Sequence, residues 1–179
     1  QLINQKIGYT ALTTSELWHN HPEKAFGMRA DWVDAHPNST QALIMAVMEA
    51  QMYCEDPANR EEVAKICSKR RWINAPFNDV VERMKGNFDY GTGRVVENSP
   101  HQMRYWKDNA SYPYKSHDKW FLTEDIRWGY LPADLDMDAW VDKVNREDLW
   151  RAAATTLGVP AAQIPTSTSR GVETFFDGK

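Results

Sequence analysis

IGYTALTTSELWHNHPEKAFGMRA, from Ile7 to Ala30, is the stretch around which the rest of the chain is read. It enters from a loosely alternating run, Leu2 to Tyr9, in which Ile3, Ile7 and Tyr9 mark an expected strand. Thr10 to Ser15 is rich in hydroxyls and β-branched residues. Such side chains compete with the helix for backbone hydrogen bonds, so extended or turn geometry is expected there. Glu16-Leu17-Trp18 leads into His19-Asn20-His21-Pro22. The residue before a proline is pushed out of helical geometry, which sets a boundary at His21. Lys24 to Ala30, with Ala25, Phe26 and Met28, reads as a second short strand. The whole is a strand-hinge-strand unit with Glu16 at the crossing.

From Asp31 onward the chain reads as helices and loops. Asp31 is suited to cap a short helix, Trp32 to Ala35, stopped by His36-Pro37. Asn38 to Thr40 introduce a helix running to Cys54. Its apolar residues cover most of its circumference, which predicts a buried central helix with Met45, Met48 and Met52 as core filler. A helix over Ala58 to Ser68 turns Val63, Ala64, Ile66 and Cys67 inward. Lys69-Arg70-Arg71 reads as a solvated helix end. Asp79 to Lys85 is a helix closed by Gly86. Asn87 to Ser111 is a loop holding one short helix, His101 to Trp106. Ser116 is expected to cap a helix from Asp118 to Trp128, with Trp120, Phe121, Glu124 and Trp128 along one side. Helices Met137 to Asn145 and Arg146 to Leu157 come next, the second closed by Gly158. Ile164 to Lys179 reads as an extended arm.

Composition narrows the function. With 179 residues, 42% hydrophobic and 26% charged, the chain is of ordinary globular make-up and suits one domain. The net charge of −4, with both signs mixed along the chain, is unlike the basic stripe of a nucleic-acid binder. It leaves room for a small anion, which needs only one local cation or a row of N–H donors. No apolar run is long enough to span a bilayer. The chain begins at Gln1 in what reads as mid-strand, which points to a fragment or processed product. Cys54 and Cys67 are expected as buried small residues on neighbouring helices, and without Cys-x-x-Cys pairs they make no zinc site.

Catalytic and metal signatures are weak. Ser15 has His19 and His21 nearby in sequence, but there is no Gly-x-Ser-x-Gly elbow and no glycine-rich oxyanion loop. His19 and His21, with Glu16 and Glu23, bring metal-ligand types together, yet Pro22 breaks the regularity that would aim both rings one way. Asp136, Asp138 and Asp142 lack the glycine and final glutamate of a calcium loop, so helix capping explains them. There is no phosphate loop and no dinucleotide fingerprint. Glu16 stands apart because it sits at a strand-to-loop crossing, where two-lobed proteins place ligand contacts.

Several longer strings carry a family resemblance. They are Gly8-Tyr9-Thr10-Ala11, Trp18-His19-Asn20-His21-Pro22-Glu23-Lys24, Met28-Arg29-Ala30-Asp31-Trp32-Val33-Asp34 and Met48-Glu49-Ala50-Gln51. Further along come Ser111-Tyr112-Pro113-Tyr114-Lys115-Ser116-His117-Asp118, Trp120-Phe121-Leu122-Thr123-Glu124, Val144-Asn145-Arg146-Glu147-Asp148-Leu149-Trp150 and the run Thr166 to Gly178. Together they resemble the C-terminal half of the cyanobacterial nitrate- and bicarbonate-binding proteins of ABC transporters.

The resemblance implies an α/β fold, the helix-rich later half of a two-lobed, periplasmic-binding-protein-like (type II) receptor that closes on its ligand by hinge motion. Residues 1–179 would form a single partial domain, with 1–30 the interlobe crossing and strand and 31–179 mainly helical. It implies a non-enzymatic solute-binding protein held by a lipid anchor at the periplasmic face of the plasma membrane. That protein would pass bicarbonate or nitrate to permease and ATPase subunits. Within the family the nitrate binders carry a cation near the position of Glu16, and the bicarbonate binders an acid bridged to the anion by calcium. Glu16 resembles the second kind, which puts bicarbonate ahead and makes Glu16 a ligand and calcium contact; Ser15, one residue earlier, is the alternative equivalent of that ligand-binding position, and with Ser15 there the bicarbonate assignment does not follow. Two alternatives are a regulatory anion-sensing domain fused to the ATPase subunit and an enzyme of pyrimidine-precursor synthesis. The latter would need a cofactor-anchoring His or Lys and a Cys-rich motif, which the chain does not show.

Overall fold

The computed structural model describes residues 1–178 and is built mainly of helices. In chain order these are α1 (Thr14–Leu17), α2 (Ala30–Ala35), α3 (Pro37–Glu55), α4 (Arg60–Cys67) and α5 (Phe77–Lys85), followed by a small hairpin of β1 (Phe88–Asp89) and β2 (Val95–Val96). Then come α6 (Lys115–Arg127), α7 (Met137–Val144) and α8 (Glu147–Thr156). The chain forms two compact units. One holds Gln1–His21, Ala50–Ala110 and Thr174–Lys179; the other holds Pro22–Glu49 and Ser111–Glu173. Helix α3 runs from the second unit into the first.

In the first unit, α4 and α5 pack together and bury Val63, Ala64 and Val81. Gly86 ends α5 at φ 94°, where a side chain would be strained, and its amide donates to the Arg83 carbonyl. The antiparallel pairs Phe88–Val96 and Asp89–Val95 form the hairpin, and Phe88 and Tyr90 face inward. Trp18 is buried against Phe175 at 5.3 Å, and the Phe176 amide donates to the Leu17 carbonyl. The C-terminal arm thereby holds α1 in place.

In the second unit, Val141, Trp150, Ala153, Ala154 and Val159 form the core with Tyr112 and Tyr114. Lys115 pairs with Asp142 and Lys119 with Asp138, which sets α6 and α7 antiparallel. Asp136 caps α7 by accepting from the Ala139 amide, the capping role expected of that acidic turn. Asn145 donates to the Pro113 carbonyl and to Asp118, and its own side-chain oxygen accepts from the Glu147 amide. Gly158 lies just beyond α8 at φ 78°.

Several elements differ from the sequence expectation. Neither Leu2–Tyr9 nor Lys24–Ala30 is a strand; residues 2–7 coil into turns closed by bonds such as Gln5 to Gln1 and Ile7 to Leu2. Short alternating runs without a neighbouring strand to complete their ladder have nothing to hold them extended. Helix α2 starts at Ala30 with Arg29 at the cap, so Asp31 lies inside its first turn, accepts from the Trp32 amide and pairs with Arg29. Helix α3 is not buried: only Thr40 and Met48 are enclosed, while Leu43 and Tyr53 stand open. Ile66, expected inward, is 41% exposed. No helix forms at His101–Trp106, because the Glu55 carboxylate takes the amides of Tyr105, Trp106 and Lys107 and fixes that backbone differently. Ser116 lies within α6, and its hydroxyl accepts from the Arg170 amide. Cys54 and Cys67 are free and half-buried.

Candidate functional site: the Glu16–Arg94 and Ser15–His101 clusters

Helix α1 is one turn long and has too few internal bonds to be stable alone. Glu16 supplies what it lacks. Its Oε2 accepts from the Thr13 amide at 2.6 Å and from the Thr13 hydroxyl at 3.1 Å, the carboxylate half of a capping box. The same oxygen accepts from the Tyr90 hydroxyl at 3.1 Å. Its Oε1 takes the Arg94 guanidinium at 2.6 Å. The hairpin presents both partners: Tyr90 lies just after β1 and Arg94 just before β2, and the guanidinium stacks 4.1 Å from the Tyr90 ring centre. The Tyr90 carbonyl also accepts from the Thr10 amide, which ties this turn to the segment leading into α1.

These bonds set the electrostatics. The Thr13 amide, opposed by partial burial and helped by Arg94, Tyr90 and the Thr13 hydroxyl, holds the Glu16 carboxyl down at about 2. Tyr90 is pushed up, first by burial and then by the Glu16 carboxylate it donates to. Glu16 is therefore an anion across the physiological range, neutralised by an Arg94 that is half-exposed.

Ser15, one residue earlier, faces a different set. Its hydroxyl lies 3.1 Å from His101 Nδ1 and 3.4 Å from His19 Nδ1. The two imidazoles meet edge to face with centres 5.6 Å apart. His21 bonds instead to the Thr14 hydroxyl at 2.6 Å. The structure thus brings Ser15, His19 and His101 together, while His21 bonds to Thr14. A single hydroxyl between two ring nitrogens can donate to one and accept from the other, which links the three side chains into one polar cluster. Tyr90, Arg94 and His101 were not legible as site residues, because they lie 74 to 86 positions away in sequence.

Calcium takes six to eight oxygen ligands. Both Glu16 oxygens already accept hydrogen bonds, and among the described residues no group of three or more His, Cys, Asp or Glu side chains is arranged to hold a metal ion. A calcium ion at Glu16 would have to share or displace the donors now on its two oxygens. In the second unit, an open hollow of about 670 Å³ is lined by Phe26, Met28, Trp32 and Leu43 with the Arg29–Asp31 pair. It is apolar, and its charges already satisfy each other, so it offers little to a small anion.

Comparison with known proteins places this arrangement in context. Residues 1–68 match the NMT1-like family. The chain is 61% identical to the nitrate/nitrite binding protein NrtA of Nostoc sp. PCC 7120, over 99% of this chain and 40% of that protein. It is 45% identical to the bicarbonate-binding protein CmpA of Synechococcus elongatus PCC 7942, over 99% of this chain and 41% of that one. A more distant likeness, 32%, is to the bicarbonate transport ATP-binding protein CmpC of the same organism, over 97% of this chain and 25% of that protein. The crystal structure of the periplasmic nitrate-binding protein NrtA from Synechocystis PCC 6803 superposes with a TM-score of 0.95 at 62% identity, over 98% of this chain and 46% of that one. The chain thus spans about two fifths of the length of the binding proteins it matches. The helix-rich architecture with its small sheet is that of part of a periplasmic binding protein. On sequence and on structure alike, the chain is similar to part of the nitrate- and bicarbonate-binding proteins.

Proposed function

We propose that this chain is part of a solute-binding protein that captures nitrate, or another small planar oxyanion, and delivers it to the permease and ATPase subunits of an ABC transporter. The observation that carries this reading is its likeness, over essentially the whole chain, to nitrate- and bicarbonate-binding proteins named for binding rather than catalysis. Nitrate stands ahead because identity to the nitrate/nitrite binding protein is 61%, against 45% to the bicarbonate-binding one. The state of Glu16 supports the same order: Arg94 supplies its counter-charge without a metal. Ser15 and the imidazoles of His19 and His101 provide the polar edge toward the anion, with the Glu16–Arg94 pair behind it holding α1 in register. The protein acts in the periplasm, tethered by a lipid anchor; among the described residues no helix is long and apolar enough to cross a membrane.

A second reading keeps bicarbonate as the anion, with calcium bridging it to Glu16. The 45% identity to a bicarbonate-binding protein over 99% of this chain favours it, and it requires Arg94 to give up Oε1. A sensor domain fused to the ATPase subunit is less favoured, since identity falls to 32% there.

Ligand that binds only the native state raises the melting temperature in proportion to the logarithm of its concentration over Kd. In a thermal melt of this chain within a protein of its relatives' full length, nitrate is expected to raise Tm progressively while chloride at equal ionic strength does not. Equal shifts with both salts would remove the specific-anion reading.

A further inference from the structure

The turn that closes α4 carries a feature the anion-binding reading does not use. From Val63 to Asn78 the sequence holds four cations, Lys65, Lys69, Arg70 and Arg71, and no acid, in a chain whose net charge is −4. Lys65 is paired with Glu61. Lys69, Arg70 and Arg71 make no ion pair among the described residues, and all three are exposed. Immediately after them, Trp72 is 58% and Ile73 61% exposed, and Ile66, on the last turn of α4, is also open.

This is a built turn rather than a loose end. The Lys69 carbonyl accepts from the amides of Trp72 and Asn74, the Cys67 carbonyl accepts from Ile73, and Asn74 takes the left-handed conformation at φ 55° that such a closure needs. The Arg71 guanidinium lies 4.7 Å from the Trp72 ring centre, so cation and indole share one side of the tip. The backbone thus holds an exposed turn on which cations without an ion pair adjoin a tryptophan and a branched aliphatic side chain.

We propose that this tip, Lys69 to Ile73, is a contact for an anionic lipid surface. Three adjacent cations complement the negative headgroups, and each gains from their surface potential. Tryptophan favours the boundary between headgroups and acyl chains, where its ring is half-solvated. The contact is independent of anion capture: Ser15, Glu16 and Arg94 play no part in it.

The test is co-sedimentation of the full chain with phosphatidylglycerol vesicles and with phosphatidylcholine vesicles at low and high salt. Binding to the first and not the second, lost at high salt, is expected. The triple substitution Lys69→Glu, Arg70→Glu, Arg71→Glu is expected to weaken it by more than about tenfold, with Trp72→Ala weakening it at fixed charge. All of these positions are exposed, and an unchanged far-UV circular dichroism spectrum confirms that each variant is folded. Arg70→Glu alone serves as a milder second variant. Equal pelleting with both lipids, an unchanged affinity in the triple variant, or binding to soluble polyglutamate with none to phosphatidylglycerol would each overturn the proposal. The last outcome would assign the tip to an acidic protein instead. Nitrate binding by the same preparations reads out separately, so failure of the lipid contact and failure of the transport reading are distinguishable.

Discussion

Glu16 holds a one-turn helix to a hairpin through bonds on both of its oxygens, and its carboxyl sits at about 2. A carboxyl depressed in the folded state contributes its full stability above the ordinary carboxylate pKa, and loses it as the pH falls from about 4.5 to about 2. Acid unfolding of the native chain should therefore include a component in that window. Glu16→Gln keeps a shape able to accept from Thr13 but loses the ion pair with Arg94. It is expected to cost about 1 kcal/mol at neutral pH and to flatten the profile through that window. A circular dichroism titration of both proteins checks it; parallel profiles would show that Glu16 stabilises nothing. At this scale the sequence was legible only locally. Ser15 and Glu16 stand out beside their neighbours, whereas the Thr13–Glu16 capping box lies in a segment expected to be extended. Arg94, Tyr90 and His101 do not stand out, because hairpin closure and loop packing bring them in across many residues of chain.

Among the elements, helices with strong end signals were the legible ones. Gly86 and Gly158 mark stops where left-handed backbone is required, and α5, α7 and α8 sit close to their expected places. The failures have a common cause. The strands expected at Leu2–Tyr9 and Lys24–Ala30 rest on short apolar alternation, which has no meaning without a partner strand. The helix expected at His101–Trp106 is overridden by one distant carboxylate. Glu55 lies at the end of α3 and takes three successive amides from Tyr105 to Lys107. Burial pushes its carboxyl up, but those three amides and the Arg104 charge outweigh it and hold it below the usual range. Glu55→Ala leaves these donors without an acceptor and is expected to cost about 1–3 kcal/mol. Amide hydrogen exchange at Tyr105, Trp106 and Lys107 should accelerate more than exchange in α8. Uniform acceleration would mean that Glu55 acts on global stability alone.

For the whole molecule, the fold was legible by family resemblance rather than by periodicity. Helix α3 shows why. Its apolar residues surround it, which reads as full burial, yet only Thr40 and Met48 are enclosed by the described residues. Composition bounded the function to something other than nucleic-acid binding, and strings such as Trp18 to Lys24 and Ser111 to Asp118 carried the remainder. In the proposed reading, the choice between nitrate and calcium-bridged bicarbonate rests on the Glu16 counter-charge, which Arg94 provides in the folded chain. Isothermal titration calorimetry measures that choice directly, with this chain inside a protein of its relatives' full length. Nitrate and bicarbonate are each titrated with calcium and with a chelator. The account predicts saturable nitrate binding that is indifferent to the chelator. Saturable heat from bicarbonate with calcium, and none from nitrate under either condition, would contradict it.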